Sequence, residues 1–320
     1  MLFHLLALLA PPIAHADSFD VQARAACAAP IGARPRLPGI EIEAIDASDG
    51  DLPYLRITDR RSGGWMKAHY DAVSARSAWA RAACLGAQLR LIGDETEEAW
   101  PSGQWFSVTF TADPAYVPPR DARDRRWTVV TRPDGTLGAE GENMAVVTMP
   151  HEQVHAFQKR AGAQLPRWLE EGHAEWISRK ITARLAPAAG QVDARRHADA
   201  LAASTTPVEL SKWGGVSVTR DAILRQASAE DRKKMEADPA FVPPGPYKIS
   251  SGDLTSDESN IQARYEAAWR VFENLERAHG ASKVQSWVRD LTATGGRVTP
   301  ERIEDTGRLR LRENLNLRLQ

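Results

Sequence analysis

Two periodicities divide the chain. Ile40-Glu41-Ile42-Glu43 and Tyr54-Leu55-Arg56-Ile57-Thr58 alternate apolar and polar residues at period two, which predicts half-buried strands. After Gly63-Gly64, an Ala-rich stretch from about Met66 to about Leu91 has helical spacing and predicts one long helix. Trp105 to Thr111, Trp127 to Thr131 and Ala145 to Thr148 are β-rich runs separated by Pro, Asp and Arg loops. From residue 150 the pattern turns helical, with segments expected at 150–162, 166–186, 192–203, 219–235, 261–279 and 281–293. The expected architecture is α+β: a small mixed sheet lobe over 53–150, then a mainly helical lobe over 151–320, with the helix that opens at about 150 between them.

The first residues read differently. Leu2 to Ile13 form an apolar run too short to span a bilayer, followed by the small-x-small site Ala14-His15-Ala16, so residues 1–16 are expected to be a signal peptide. The mature chain would then be periplasmic or secreted, with no stable membrane insertion after cleavage. Residues 17–52, punctuated by Pro and Gly, are expected to be a loosely attached lead-in with one edge strand. Cys27 and Cys84 are the two cysteines, and in an exported chain an even pair is most simply one disulfide. The tail from Gly307 alternates Leu with polar residues and suits a docked terminal element. Lys and Arg total 41 against 42 Asp and Glu, so no basic field exists to gather nucleic acid.

Chemistry concentrates in His151-Glu152-Gln153-Val154-His155, an HExxH on an expected helix. A spacing of four sets both imidazoles on one face, one turn apart, where they can share a zinc ion. Glu152 sits beside the first ligand, placed to take a proton from water. Such a pentapeptide arises by chance in about one chain of this length in a hundred, so a third ligand is needed to make the case.

Downstream, Leu165-Pro166-Arg167-Trp168-Leu169-Glu170-Glu171-Gly172-His173-Ala174-Glu175-Trp176 opens another expected helix. HExxH followed by this WLxEGxAE pattern resembles the gluzincin metallopeptidases, the thermolysin and aminopeptidase N-like clan, and most of all their peptidase MA-like relatives. The resemblance spans roughly residues 53 to 295, with its specificity in three short blocks. It implies a zincin-like fold with the active-site helix between the two lobes, making 53–320 the catalytic domain. It also implies His151, His155 and Glu171 as ligands of one Zn2+ per chain, and Glu175 as the group that orients a ligand histidine. Ala263 to Trp269 is similar to the clan's later Tyr-containing helix, which makes Tyr265 the candidate oxyanion stabiliser. An alternative for Tyr265 is plain packing, since Tyr265, Ala268, Trp269 and Phe272 form a helical stripe. His173 falls on another face, where it could line the cleft, but a solvated or core-edge histidine is the expectation. The Gly-x-Met-Glu-Asn box of aminopeptidase N relatives is missing, because Gly141-Glu142-Asn143-Met144 has the wrong order, so exopeptidase activity is unsupported.

The expected activity is therefore an exported zinc metallopeptidase, hydrolysing peptide bonds in a peptide or protein substrate by a Glu152-activated zinc-bound water. The alternatives are a non-proteolytic zinc protein, and an exported binding protein in which HExxH is a chance helix.

Overall fold

The computed structural model describes residues 18–46, 52–101, 103, 106–116, 126–158, 162–205, 208–214, 216–238, 241–250, 252, 254–256, 260–299 and 302–303. The expected signal peptide and the alternating tail lie outside them. The fold is α+β, and backbone proximity separates Met1–Phe157 with Ile177–Val192 from Gln158–Trp176 with Asp193–Gln320.

The first unit is built on a five-stranded sheet whose spatial order equals its chain order. Strands β1 (Ile40–Ile45), β2 (Tyr54–Asp59) and β3 (Trp65–Tyr70) pair antiparallel, while β4 (Phe106–Thr111) and β5 (Arg126–Val130) join in parallel. Two neighbouring parallel strands need a crossover, and helix α2 (Ala75–Thr96) supplies it between β3 and β4. One sheet face carries Leu55, Ile57, Met66, Val108 and Phe110, all 0% exposed, and this apolar face makes the core. Helix α2 comes very close to the sheet at Gly86. A Cβ there would stand 2.3 Å from a methyl of Ile40 and 3.1 Å from one of Ile57.

The expected helix from Met66 to Leu91 is thus corrected in its first part: residues 65–70 are β3, with Met66 and Ala68 turned into the core. The helix starts only after Asp71, whose carboxylate accepts the Ser74 N–H (2.7 Å) and the Ala112 N–H (2.9 Å). That second bond ties the helix entry to the end of β4.

Residues 18–46 are not loosely attached. Helix α1 (Ser18–Cys27) was not foreseen; Cys27 bonds to Cys84 on α2. Arg184 grips Asp20 with two bonds of 2.9 Å. β1 then pairs along its whole length with β2, as the edge strand expected there. Beneath β1 and β2, Arg90 donates twice to the fully buried Asp59 (2.9 and 2.7 Å), which also accepts the Ser62 N–H.

The second unit contains the first half of helix α5 (Arg167–Leu185) and the larger part of α6 (Pro187–Ala203). The expected helix at 219–235 is two, α7 (Arg220–Gln226) and α8 (Ala229–Ala237), because Ser228 caps a new start by accepting the Asp231 N–H. Helices α9 (Ile261–His279) and α10 (Ala281–Ala293) have the bounds the pattern predicts, with Gly280 between them. Trp176 stacks on Phe272 (5.8 Å between centroids), and Trp287 lies 6.1 Å from Phe272. Short ladders, β6 (Ala163–Gln164) with β9 (Gly296–Arg297) and β7 (Val216–Val218) with β8 (Leu254–Ser256), complete the described strands.

Candidate metal centre

His151 and His155 stand on helix α4 (Met149–Gln158), which is continuous with α3 (Ala139–Asn143) through a π-helical turn at Met144–Thr148. The strand expected at Ala145–Thr148 is therefore replaced by helix. Met149, Gln153 and Val154 are 0% exposed, so this side of α4 faces the core, and Phe157 meets Trp100 edge-on at 4.7 Å. With that side fixed, the spacing of four brings the two imidazoles together edge to face, 82° between planes, with His151 Nε2 and His155 Nε2 3.1 Å apart. Both rings are nearly buried, 7% and 9% exposed.

His151, His155 and Glu171 each offer a ligand atom, and these atoms all lie within 4.8 Å of one another. The fit to zinc can be tested by distance. Two ligand nitrogens at about 2.0–2.1 Å from a tetrahedral zinc stand about 3.3 Å apart, close to the imidazole separation. The donor set, two imidazole nitrogens and one carboxylate, is also one that zinc takes. Glu152, next to His151, is half-buried.

On α5, Glu171 carries Arg167 one turn before it, with Arg167 Nε 3.6 Å from Glu171 Oε1. The Arg167 guanidinium also lies over the Trp213 ring at 5.3 Å. Glu175 is buried, and its Oε2 is 4.0 Å from His197 Nδ1. His197 belongs to α6 and faces a second carboxylate, Asp193 Oδ2, at 3.9 Å. Tyr265 stacks on His197 (5.9 Å, 14° between planes) and meets Trp213 edge-on at 5.1 Å. The structure thus gathers Glu175, His197 and Tyr265 in one row. His197 was not foreseen, although the Asp193-x-x-x-His197 spacing on an expected helix was a readable sign of a paired imidazole.

His173 is a core residue at 3% exposure. The Gln158 amide, which donates to the Glu170 carbonyl (2.6 Å), also reaches His173 Nδ1 (3.2 Å), so Nδ1 accepts. Nε2–H then donates to Gln285 Oε1 at 3.2 Å, fixing a neutral tautomer. Phe272 and Trp176 flank the ring. Cys27 and Cys84 stand apart as the disulfide already described.

Among the described residues, no helix is long and apolar enough to cross a membrane. No family model matches the chain, and no curated protein matches it.

Proposed function

We propose that the protein is an exported zinc metallopeptidase of gluzincin type, with a zincin-like fold over residues 53–320. The observation that carries this reading is the convergence of His151, His155 and Glu171 on one point, with Glu152 beside the first of them. Zinc held there by those three residues supplies a Lewis acid for the scissile carbonyl and acidifies a water.

The chain's own groups do the rest. Glu152 takes the proton of the attacking water and passes it to the leaving amine nitrogen, a transfer suited to a half-buried carboxylate. Tyr265 donates its phenol O–H to the oxygen that gains charge. Its ring is kept in place by His197 on one face and the edge of Trp213. Glu175 orients a ligand imidazole from behind. Strand β5, which ends the sheet, takes an extended peptide through main-chain hydrogen bonds.

The test is a pair of variants on a fluorogenic peptide library, with metal content measured in parallel. Glu152→Gln should keep one zinc per chain and lose turnover; Glu171→Ala should lose the zinc. Hydrolysis surviving in Glu152→Gln refutes the mechanism. Absence of zinc from the wild type, after zinc is supplied during folding, refutes the site. Bound zinc with no peptide cleaved favours a non-proteolytic zinc protein.

A further inference from the structure

The helix that carries the two histidines has a proline inside it. Residues 139–158 run without a break through α3, the π turn and α4, and Pro150 lies within that run. Proline has no N–H to give, and its ring crowds the carbonyl four residues back, here that of Val146. The helix widens in response: the Met149 N–H reaches back five residues to the Met144 carbonyl. That bond takes Met149 from Ala145, its α-helical acceptor, and the next donor along the chain is the missing N–H of Pro150. Val146 loses its α-helical donor to the same proline. Buried carbonyls of this kind need side-chain donors.

Both receive one. Gln88 Nε2, from α2, donates to the Ala145 carbonyl at 2.8 Å, and Thr182 Oγ1, from α5, to the Val146 carbonyl at 3.2 Å. Gln88 does a second thing. Its Oε1 accepts from Gln153 Nε2 at 3.2 Å, and Gln153 is the residue between Glu152 and Val154 of the metal motif. Among the described residues, Gln153 Nε2 otherwise reaches only the weak acceptor Met66 Sδ (3.6 Å), and its buried Oε1 has no hydrogen-bond partner. One fully buried carboxamide thus holds both the turn before His151 and a side chain between the two histidines.

We infer that Gln88 is a positioning residue for the metal helix, fixing its rotation about its own axis. The leverage is large, because a π turn holds one residue more than an α turn. Its relaxation to α would swing everything after it by about 100°. The functional consequence rests on the zinc reading above; the mechanical one does not.

The experiment uses the mature full-length protein with Gln88→Met, which keeps volume but removes both bonds, Gln153→Met, and the double variant. Zinc affinity is read by competition with a chromophoric chelator, and amide hydrogen exchange over residues 139–158 is read beside it. Gln88→Met should weaken zinc by about tenfold or more and speed exchange in 139–158 while leaving the β2–β4 strands protected. The double variant should bind zinc no worse than Gln88→Met, since Gln153 acts through the same carboxamide. Wild-type affinity and wild-type exchange in Gln88→Met overturn the inference. Should Gln88→Met not fold, Thr182→Val, which removes the other donor, should show the same two changes more weakly, and showing neither overturns it. If the wild type binds no zinc, the metal reading fails on its own, and the exchange measurement alone decides the role of Gln88.

Discussion

Gly172 tests whether the spacing between α5 and α9 is set by the absence of a side chain. It follows Glu171 directly, and a Cβ built on it would lie 2.9 Å from the Ala268 carbonyl oxygen and 3.1 Å from its carbon. Phe272 Cδ2 would stand at 3.0 Å. Replacement by alanine has two opposed effects. In a helix interior it favours folding by about 1 kcal/mol through the backbone entropy glycine would lose. Against this, an inserted methyl in a packed contact costs about 1–3 kcal/mol. The crowding atoms here are largely backbone, so a rotamer change cannot relieve them. Restoring an ordinary contact of 3.4 Å from 2.9 Å needs the two helices to part by about 0.5 Å. The steric cost should win, leaving Gly172→Ala about 1 kcal/mol less stable. With a urea slope of about 3 kcal/mol/M, the transition midpoint followed by tryptophan fluorescence should fall by roughly 0.3 M. Because Tyr265 is one turn before Ala268 on α9, the metallopeptidase reading expects any peptide turnover to suffer more than zinc content. A variant stabilised by the full helix-propensity gain would show that α5 and α9 have slack, and would refute the argument.

Three further outcomes follow from the geometry. Replacing Cys27 and Cys84 by alanine opens a cross-link of 57 residues' separation, and the loop-entropy relation puts the loss at roughly 4 kcal/mol, measurable as a fall in urea midpoint of the first unit. Asp71 is partly buried, which alone would raise its pKa. The N–H groups of Ala112 and Ser74 and the hydroxyls of Thr111 and Ser74 outweigh this and hold it below the ordinary 3.8. Its contribution is therefore present above the unfolded value and lost as pH falls through the lower folded value, so acid-unfolding curves of wild type and Asp71→Asn should converge at the acid end. Zinc at a hundredfold excess over its dissociation constant should stabilise the protein by about 2.7 kcal/mol, and a chelator should remove that gain; melting temperatures blind to both would count against the site.

The positions at which sequence and structure part are physically specific. Helices α9 and α10 were legible to the residue because a broad apolar stripe and Gly280 mark their limits. The pairing of His151 with His155 was legible because i, i+4 spacing needs no tertiary information. Residues 65–70 were misread because Ala68 continues an Ala-rich run whose strand identity comes only from pairing with β2 and β4. Residues 145–148 were misread for a related reason. Ala145-Val146-Val147-Thr148 has strand-forming composition, and the helix survives there through donors 57 and 36 residues distant in sequence, Gln88 and Thr182. The His197 pairing with Glu175 also joins separate helices, so the sequence could suggest the Asp193 partner but not this one.

The coincidence of spatial and sequential strand order bears on how the chain assembles. Every strand from β2 to β5 pairs with one already synthesised, so the sheet can grow without waiting for later segments. The partner of Cys27 is made by residue 84, before β4 exists. His151 and His155 come after the whole sheet, and Glu171 after them. On the zinc reading, the ligand set would therefore be complete only after the five-stranded sheet, and a shortage of metal would leave a chain with a finished sheet and an unfinished site.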